Sequence, residues 1–342
     1  MATEVQGFMG NQPTEVNFPV TLLEDTVRIQ VSVRLSVLEA LAFKQSCEQL
    51  ITANSIPKKI IIDFGNTTFM DSSGLGALVS NYKNAQEKEI ELVLQNVTPQ
   101  VMAVLNLTGL VDVFTIEEGE FTPPSVHPRR REEKLPPTHP SVRSLTKRLI
   151  DIVGALVGLV LTSILSIPII IAIMIDDPGP IFFGQIRCGW MGKRFRMWKF
   201  RSMCVDAEAK KAELQKLNQV KGAFFKIEND PRVTRVGKLL RRTSLDELPQ
   251  FWNVLKGEMS LVGTRPPTPD EVECYEVPEW QRLDVKPGMT GEWQVNGRSS
   301  IRNFEDVIRL DLEYQKNWSL IYDLKLIFKT VAILFNKSSG AM

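Results

Sequence analysis

From Ile152 to Ile175 the chain runs 24 residues without a charged side chain. As a straight helix rising about 1.5 Å per residue it would reach about 36 Å, enough for a bilayer. The run is too long and too uniformly apolar for the core helix of a small domain. Three features argue against a simple span. Pro168 lies inside it, where a proline kinks a helix. Arg143, Lys147 and Arg148 precede it, and Arg187, Lys193, Arg194 and Arg196 follow. Positive charge on both flanks favours keeping both on the cytoplasmic side. The N-terminus has no basic stretch followed by an apolar run, so no signal peptide is expected. A re-entrant helix over about 149–175, broken near Ser166 and Pro168, satisfies all three.

The remainder divides by charge. Residues 1–120 hold 7 basic and 15 acidic side chains, and residues 121–342 hold 34 and 25. An acidic module is therefore joined to a basic one that suits anionic lipid, phosphate or nucleotide. No nucleic-acid partner is expected. The four cysteines are scattered without metal-ligand spacing, which points to reduced thiols in a cytosolic compartment.

Residues 1–17 are expected to be flexible, and residues 18–120 read as a small α/β domain. Val27–Val33 alternates like a half-buried strand, Lys59–Phe64 reads as a covered strand and Glu91–Leu94 as another. Helices are expected over Val37–Ala53, Leu75–Ala85 and Pro99–Leu107. Between strand and helix lies Asp71-Ser72-Ser73-Gly74. Turn and cap chemistry explains those residues. Residues 121–142, dense in proline with a run of arginines, are expected to form an extended linker.

Residues 143–342 carry the candidate chemistry. A hairpin is expected over Gly189–Met203, an amphipathic helix over Asp206–Val220, and helix from Phe304 to Phe335. Within Arg241–Pro267 the adjacent carboxylates Asp246 and Glu247 follow Arg241 and Arg242 and precede Arg265. A carboxylate can attack an electrophile or hold Mg²⁺, while arginines neutralise phosphate oxygens. The same spacing also fits a capping box, with Ser244 as N-cap and Glu247 at N3. On that alternative the carboxylates only serve a helix start.

The longer pattern favours chemistry. Lys199-Phe200-Arg201-Ser202-Met203, Ser244-Leu245-Asp246-Glu247-Leu248-Pro249-Gln250, Ser260-Leu261-Val262-Gly263-Thr264-Arg265-Pro266, Lys286-Pro287-Gly288-Met289-Thr290-Gly291 and Gln294-Val295-Asn296-Gly297-Arg298 occur in this order. Together they resemble the bacterial sugar transferases, the monotopic phosphoglycosyl transferases, from about Ser144 to about Phe335. Ile61-Ile62-Asp63-Phe64 with Phe69–Gly76 resembles STAS domains. The fold class expected is thus a STAS-like α/β domain plus a mainly α monotopic membrane domain.

The resemblance implies that a phosphosugar passes from a UDP-sugar to polyprenyl phosphate, with release of UMP. It implies Asp246 as nucleophile, Glu247 as its Mg²⁺ or acid–base partner, and Lys199, Arg201, Arg241, Arg265 and Arg298 near phosphate or nucleotide. It implies a Ser-Pro break in the membrane helix. Here Ile167 separates Ser166 from Pro168. It implies Ser72 as a phosphorylation site, and a second copy or a regulatory protein as partner of the STAS module. It places both modules on the cytosolic face of a bacterial inner membrane. Two other readings are an inactive membrane-tethered regulator and an anion transporter. For a transporter one apolar segment is too few.

Overall fold

A computed structural model describes residues 18–23, 25–52, 57–117, 138–207, 209–210, 230–297 and 304–335. The proposed N-terminal tail, most of the 121–142 linker, most of Asp206–Val220 and Arg298 lie outside these residues.

The N-terminal domain is a five-stranded sheet, β1 (Val20–Leu23), β2 (Thr26–Gln30), β4 (Lys59–Asp63), β6 (Glu91–Gln95) and β7 (Thr115–Glu117), in that spatial order. β1 runs antiparallel to β2, and the other neighbours are parallel. The short strands β3 (Arg34–Leu35) and β5 (Phe69–Met70) pair beside it. Alternation in β2 buries Val27 and Ile29, as a period of two requires. Helices α1 (Val37–Ile51), α2 (Ser72–Glu87) and α3 (Pro99–Thr108) cover the core. Asp71 is the N-cap of α2, and its carboxylate accepts from Gly74 N at 3.0 Å.

The linker's end is short helix: α4 spans Pro140–Arg143. α5 then runs 32 residues, Leu145–Asp176, with Pro168 inside it. The expected break is not an interruption, since helical bonding continues to Asp176. Pro168 deprives the Ile164 carbonyl, four residues back, of its donor. The Ser166 hydroxyl donates elsewhere, to Ser163 O at 2.8 Å.

One face of α5 lies on the second domain along its whole length. Lys147 Nζ pairs with Asp323, Asp151 accepts from Ser260 Oγ and Leu261 N, and Asp176 accepts from Val236 N. Ile169 and Ile173 pack with Phe200 and Leu240. The other face, Val153, Leu156, Val160, Ile164, Ile167 and Ile171 among others, is exposed. Both ends are thus pinned to one body.

The rest is mainly helical: α6 (Arg235–Thr243), α7 (Gln250–Lys256), α8 (Pro269–Glu273), α9 (Glu292–Gly297), α10 (Phe304–Lys316) and α11 (Leu320–Phe335). The hairpin β8 (Phe182–Cys188) and β9 (Arg194–Phe200) and the parallel pair β10 (Ser260–Val262) and β11 (Gly288–Thr290) complete it. The hairpin begins earlier than Gly189, because Phe182 and Phe183 pair with Phe200 and Lys199 rather than continuing the turn after α5. The helix expected over Phe304–Phe335 is two helices, broken at Asn317–Ser319, where the Trp318 indole turns back onto Asp323.

The two modules are packed together rather than merely tethered. Val277–Asp284, a 3₁₀ segment of the second domain, lies on α2. The Ser72 hydroxyl lies 2.5 Å from Asp284 Oδ1 and 2.7 Å from Trp280 O, and Ser72 N donates to Asp284 Oδ1 at 3.1 Å. Trp280, Tyr275 and Val277 join the apolar core of the STAS-like domain, and Lys44 pairs with Glu276 at 2.9 Å. Gly76 permits this approach, since a Cβ there would sit 2.5 Å from the Trp280 ring. Gly76→Val is therefore expected to force the Trp280 ring outward. Hydrogen exchange should rise over Val277–Asp284 and stay unchanged over β4 and β6.

Candidate active site

Between the hairpin, α6 and the loop before α8 lies a cavity of about 720 Å³. Asp246 and Glu247 reach it from a 3₁₀ turn, Leu245–Glu247. The capping box that the spacing also fits does not form. α6 ends at Ser244, whose N–H bonds back to Arg241 O and Leu240 O and whose φ of +58° is left-handed. An N-cap needs extended backbone at that residue, so Ser244 cannot serve. A left-handed non-glycine costs about 1–2 kcal/mol, and such strain gathers at functional sites. Here it turns Asp246 inward, leaving it 6% exposed.

The cations arrive from separate elements. Lys199, in β9, donates to Glu247 Oε1 at 2.9 Å. Arg241, in the last turn of α6, donates from Nε to Ser202 Oγ at 2.9 Å. Burial holds its guanidinium below the ordinary range, against the attraction of Asp246. α6 can lie this close because residue 237 is glycine: a Cβ would stand 2.0 Å from Ser202 O. Arg265 grips Glu271 through both terminal guanidinium nitrogens, Nη1 and Nη2, at 2.6 and 3.1 Å. Burial works against the Glu271 carboxylate, yet Arg265 holds its pKa below the usual range.

Arg265 is itself positioned from beneath. Arg282, fully buried, donates to Asp311 Oδ2, to the Tyr275 hydroxyl and to Arg265 O, while Asp311 Oδ1 accepts from Arg265 N. This network begins two residues before Asp284, which bonds Ser72.

Of the residues read from sequence, Lys199, Arg201, Arg241, Asp246, Glu247 and Arg265 all line one cavity. Arg201 differs from the rest in its bonding. It pairs with Asp177 at 3.1 Å and also donates to Asp177 O, which pins the turn leaving α5. Among the lining residues not singled out in the sequence are Trp293 and Arg187. Trp293 faces Arg265, its ring 5.9 Å from the guanidinium carbon. It stands one place before the quoted Gln294 motif, between Glu292 and Gln294, where no spacing marks it. Arg187 bonds Gln185 Oε1 and Pro266 O and, among the described residues, pairs with no carboxylate. Burial pushes its pKa down to about 10, and Arg265 adds repulsion. In sequence it was only one of several flanking charges.

The donors suit a hard cation. Asp246 and Glu247 offer oxygen ligands only, and Mg²⁺ is usually held by one or two carboxylates with phosphate oxygens and water filling the shell. Among the described residues no group of three or more His, Cys, Asp or Glu side chains stands at metal-binding range.

Residues 142–337 match the bacterial sugar transferase family. The chain belongs to that family. Residues 18–120 match the STAS domain. The transferase half is 50% identical over 190 residues to galactosyl transferase CpsE of Streptococcus agalactiae serotype III, covering 56% of this chain and 42% of that one. It is 42% identical over 198 residues to the undecaprenyl-phosphate galactose phosphotransferase of Salmonella typhimurium, covering 57% and 41%. With the exopolysaccharide production protein ExoY of Rhizobium meliloti it shares 38% identity over 203 residues, covering 58% and 89%. This transferase therefore spans about two fifths of the length of the first two relatives and nearly the whole of ExoY.

Proposed function

We propose that the protein transfers a phosphosugar from a UDP-sugar to polyprenyl phosphate, releasing UMP, as a membrane step of exopolysaccharide synthesis. The carrying observation is a buried nucleophile-type carboxylate, Asp246, in a cavity walled by Lys199, Arg187, Arg241 and Arg265. Such a wall suits a diphosphate, because arginines bind phosphate oxygens through paired donors. The relatives' names supply the substrate class.

In this reading a carboxylate oxygen of Asp246 attacks the sugar-linked phosphorus. The bond from that phosphorus to the bridging oxygen breaks, and UMP leaves with its electrons. A phosphate oxygen of the polyprenyl acceptor then attacks the aspartyl phosphorus, forming a lipid-linked diphosphosugar and restoring Asp246. Arg265 and Arg187 neutralise the departing phosphate. Lys199 holds Glu247 beside the reacting centre. Mg²⁺ held by Asp246 and Glu247 would further neutralise phosphate charge.

Arg187→Ala is expected to lower kcat/KM for the UDP-sugar about tenfold or more, the loss of a charge-assisted contact. Steady-state UMP release checks this, and an unchanged kcat/KM would remove Arg187 from the substrate site.

The exposed apolar face of α5 seats the enzyme in one leaflet, with both modules on the cytosolic side. Cysteines engineered at positions 134 and 210 are expected to resist an impermeant thiol reagent outside intact cells. Labelling of one alone would mean a true span.

The STAS module regulates or assembles the enzyme and does not catalyse. All lining residues of the cavity fall between Pro180 and Trp293. Ser72 remains the candidate phosphorylation site, and its burial means that a kinase reaches it after the modules part. A second copy or a regulatory protein would compete for the same face.

A further inference from the structure

A second, smaller cavity of about 110 Å³ lies away from Asp246, at the start of α5. Its walls carry four cations, Arg143, Lys147, Arg148 and Lys286, and one carboxylate, Asp151. Two cations have local partners: Lys147 pairs with Asp323, and Arg148 donates to Val254 O and Leu255 O at the end of α7. Asp151 is taken up by Ser260 and Leu261.

Arg143 and Lys286 make no hydrogen bond or ion pair among the described residues. Lys286 Nζ and Arg148 Nη2 both crowd Gly257, lying 3.5 and 3.3 Å from where its Cβ would stand. Burial lowers the Lys286 pKa, and Arg148 and Lys147 add repulsion that Asp151 opposes. Like charges gathered in a half-enclosed space repel unless a counter-charge enters. The first turn of α5 adds the positive end of a 32-residue helix.

Depth identifies the counter-charge. Leu145 is 85% exposed and Leu149 61%, and they open the apolar face of α5 beside the cavity. The cavity therefore sits where apolar surface gives way to cations, the level of lipid headgroups. We propose that Arg143, Arg148 and Lys286 bind the phosphate of an anionic phospholipid headgroup, at a site separate from the active-site cavity. The proposal rests on the membrane seat and not on the transfer chemistry.

The test uses the full-length protein in detergent, with thermal unfolding followed on adding short-chain phosphatidylglycerol, phosphatidylcholine or inorganic phosphate. Phosphatidylglycerol should raise Tm by several degrees, and the other two should not. In the Arg143→Gln/Lys286→Gln double variant the rise should fall to the phosphatidylcholine level, with UMP release in plain detergent unchanged. Equal rises in wild type and variant would overturn the proposal, as would equal effects of the two lipids. An equal rise with inorganic phosphate would assign the cavity to a free anion and overturn the lipid source. Should the double variant fail to fold, Arg143→Gln alone, on an exposed side chain, must still show a reduced rise. Because the readout is Tm, a failed proposal is distinguishable from a failed transferase assignment, which UMP release reports.

Discussion

Asp246→Asn is expected to lower UMP release at least about a thousandfold and to abolish any phosphosugar adduct on the protein. The amide is a poor nucleophile, and removing a nucleophile removes the covalent route entirely. The change is nearly isosteric in a site only 6% exposed, so the fold should persist. Glu247→Gln should also be severely impaired, through loss of the charge pair with Lys199. Intact-protein mass spectrometry after incubation with UDP-sugar alone separates the two. Glu247→Gln leaves the nucleophile in place, whereas Asp246→Asn must show no mass increase. Substantial turnover by Asp246→Asn would refute the covalent assignment.

Ser72→Asp should uncouple the two modules. The side chain is fully buried against Asp284 and lies next to Asp71 in the chain. A third carboxylate there is an uncompensated buried charge, costing about 3–5 kcal/mol. Ser72→Ala removes one hydroxyl and should cost about 1 kcal/mol. Hydrogen exchange over Val277–Asp284 should rise strongly in the first variant and weakly in the second. Equal protection in wild type and Ser72→Asp would mean that this contact does not hold the modules together.

The same contact should depend on pH. Burial raises the Asp284 pKa to about 7, with Asp71 adding repulsion. Burial also raises Asp71, Glu39 adding to the rise and Arg34 opposing it. Both carboxyls are held above the ordinary carboxylate range in the docked form. Their contribution to docking is therefore present below the ordinary carboxylate range, about pH 4, and is lost as pH rises through about 7. Protection of Val277–Asp284 should fall as pH rises from about 4 to about 7. Asp284→Asn should flatten that change.

Local patterns carried much of this fold into the sequence. The strands around Ile60–Ile62 and Leu92–Leu94 and the cap at Asp71 depend on neighbours a few residues apart, so periodicity and turn chemistry expose them. The gathering of Lys199, Arg241, Asp246 and Arg265 was legible only as ordered motifs, since no spacing rule joins a hairpin to a 3₁₀ turn. What stayed hidden depends on distant partners. Ser244 looks like an N-cap until α6 is seen to end on it. Arg201 lines the cavity with the other cations, but its pairing with Asp177 had no signature in the sequence. The Ser72–Asp284 contact joins residues 212 apart, and a proline-rich linker between them suggested loose tethering instead.

On the proposed function, this cavity moves a phosphosugar from a UDP-sugar to a lipid phosphate. The direct measurement is UMP release by the full-length protein in detergent, across a panel of UDP-sugars, with and without polyprenyl phosphate. Sustained release with at least one UDP-sugar, dependent on the lipid acceptor and lost in Asp246→Asn, is the predicted result. No lipid-dependent release from any UDP-sugar by correctly folded protein would contradict it.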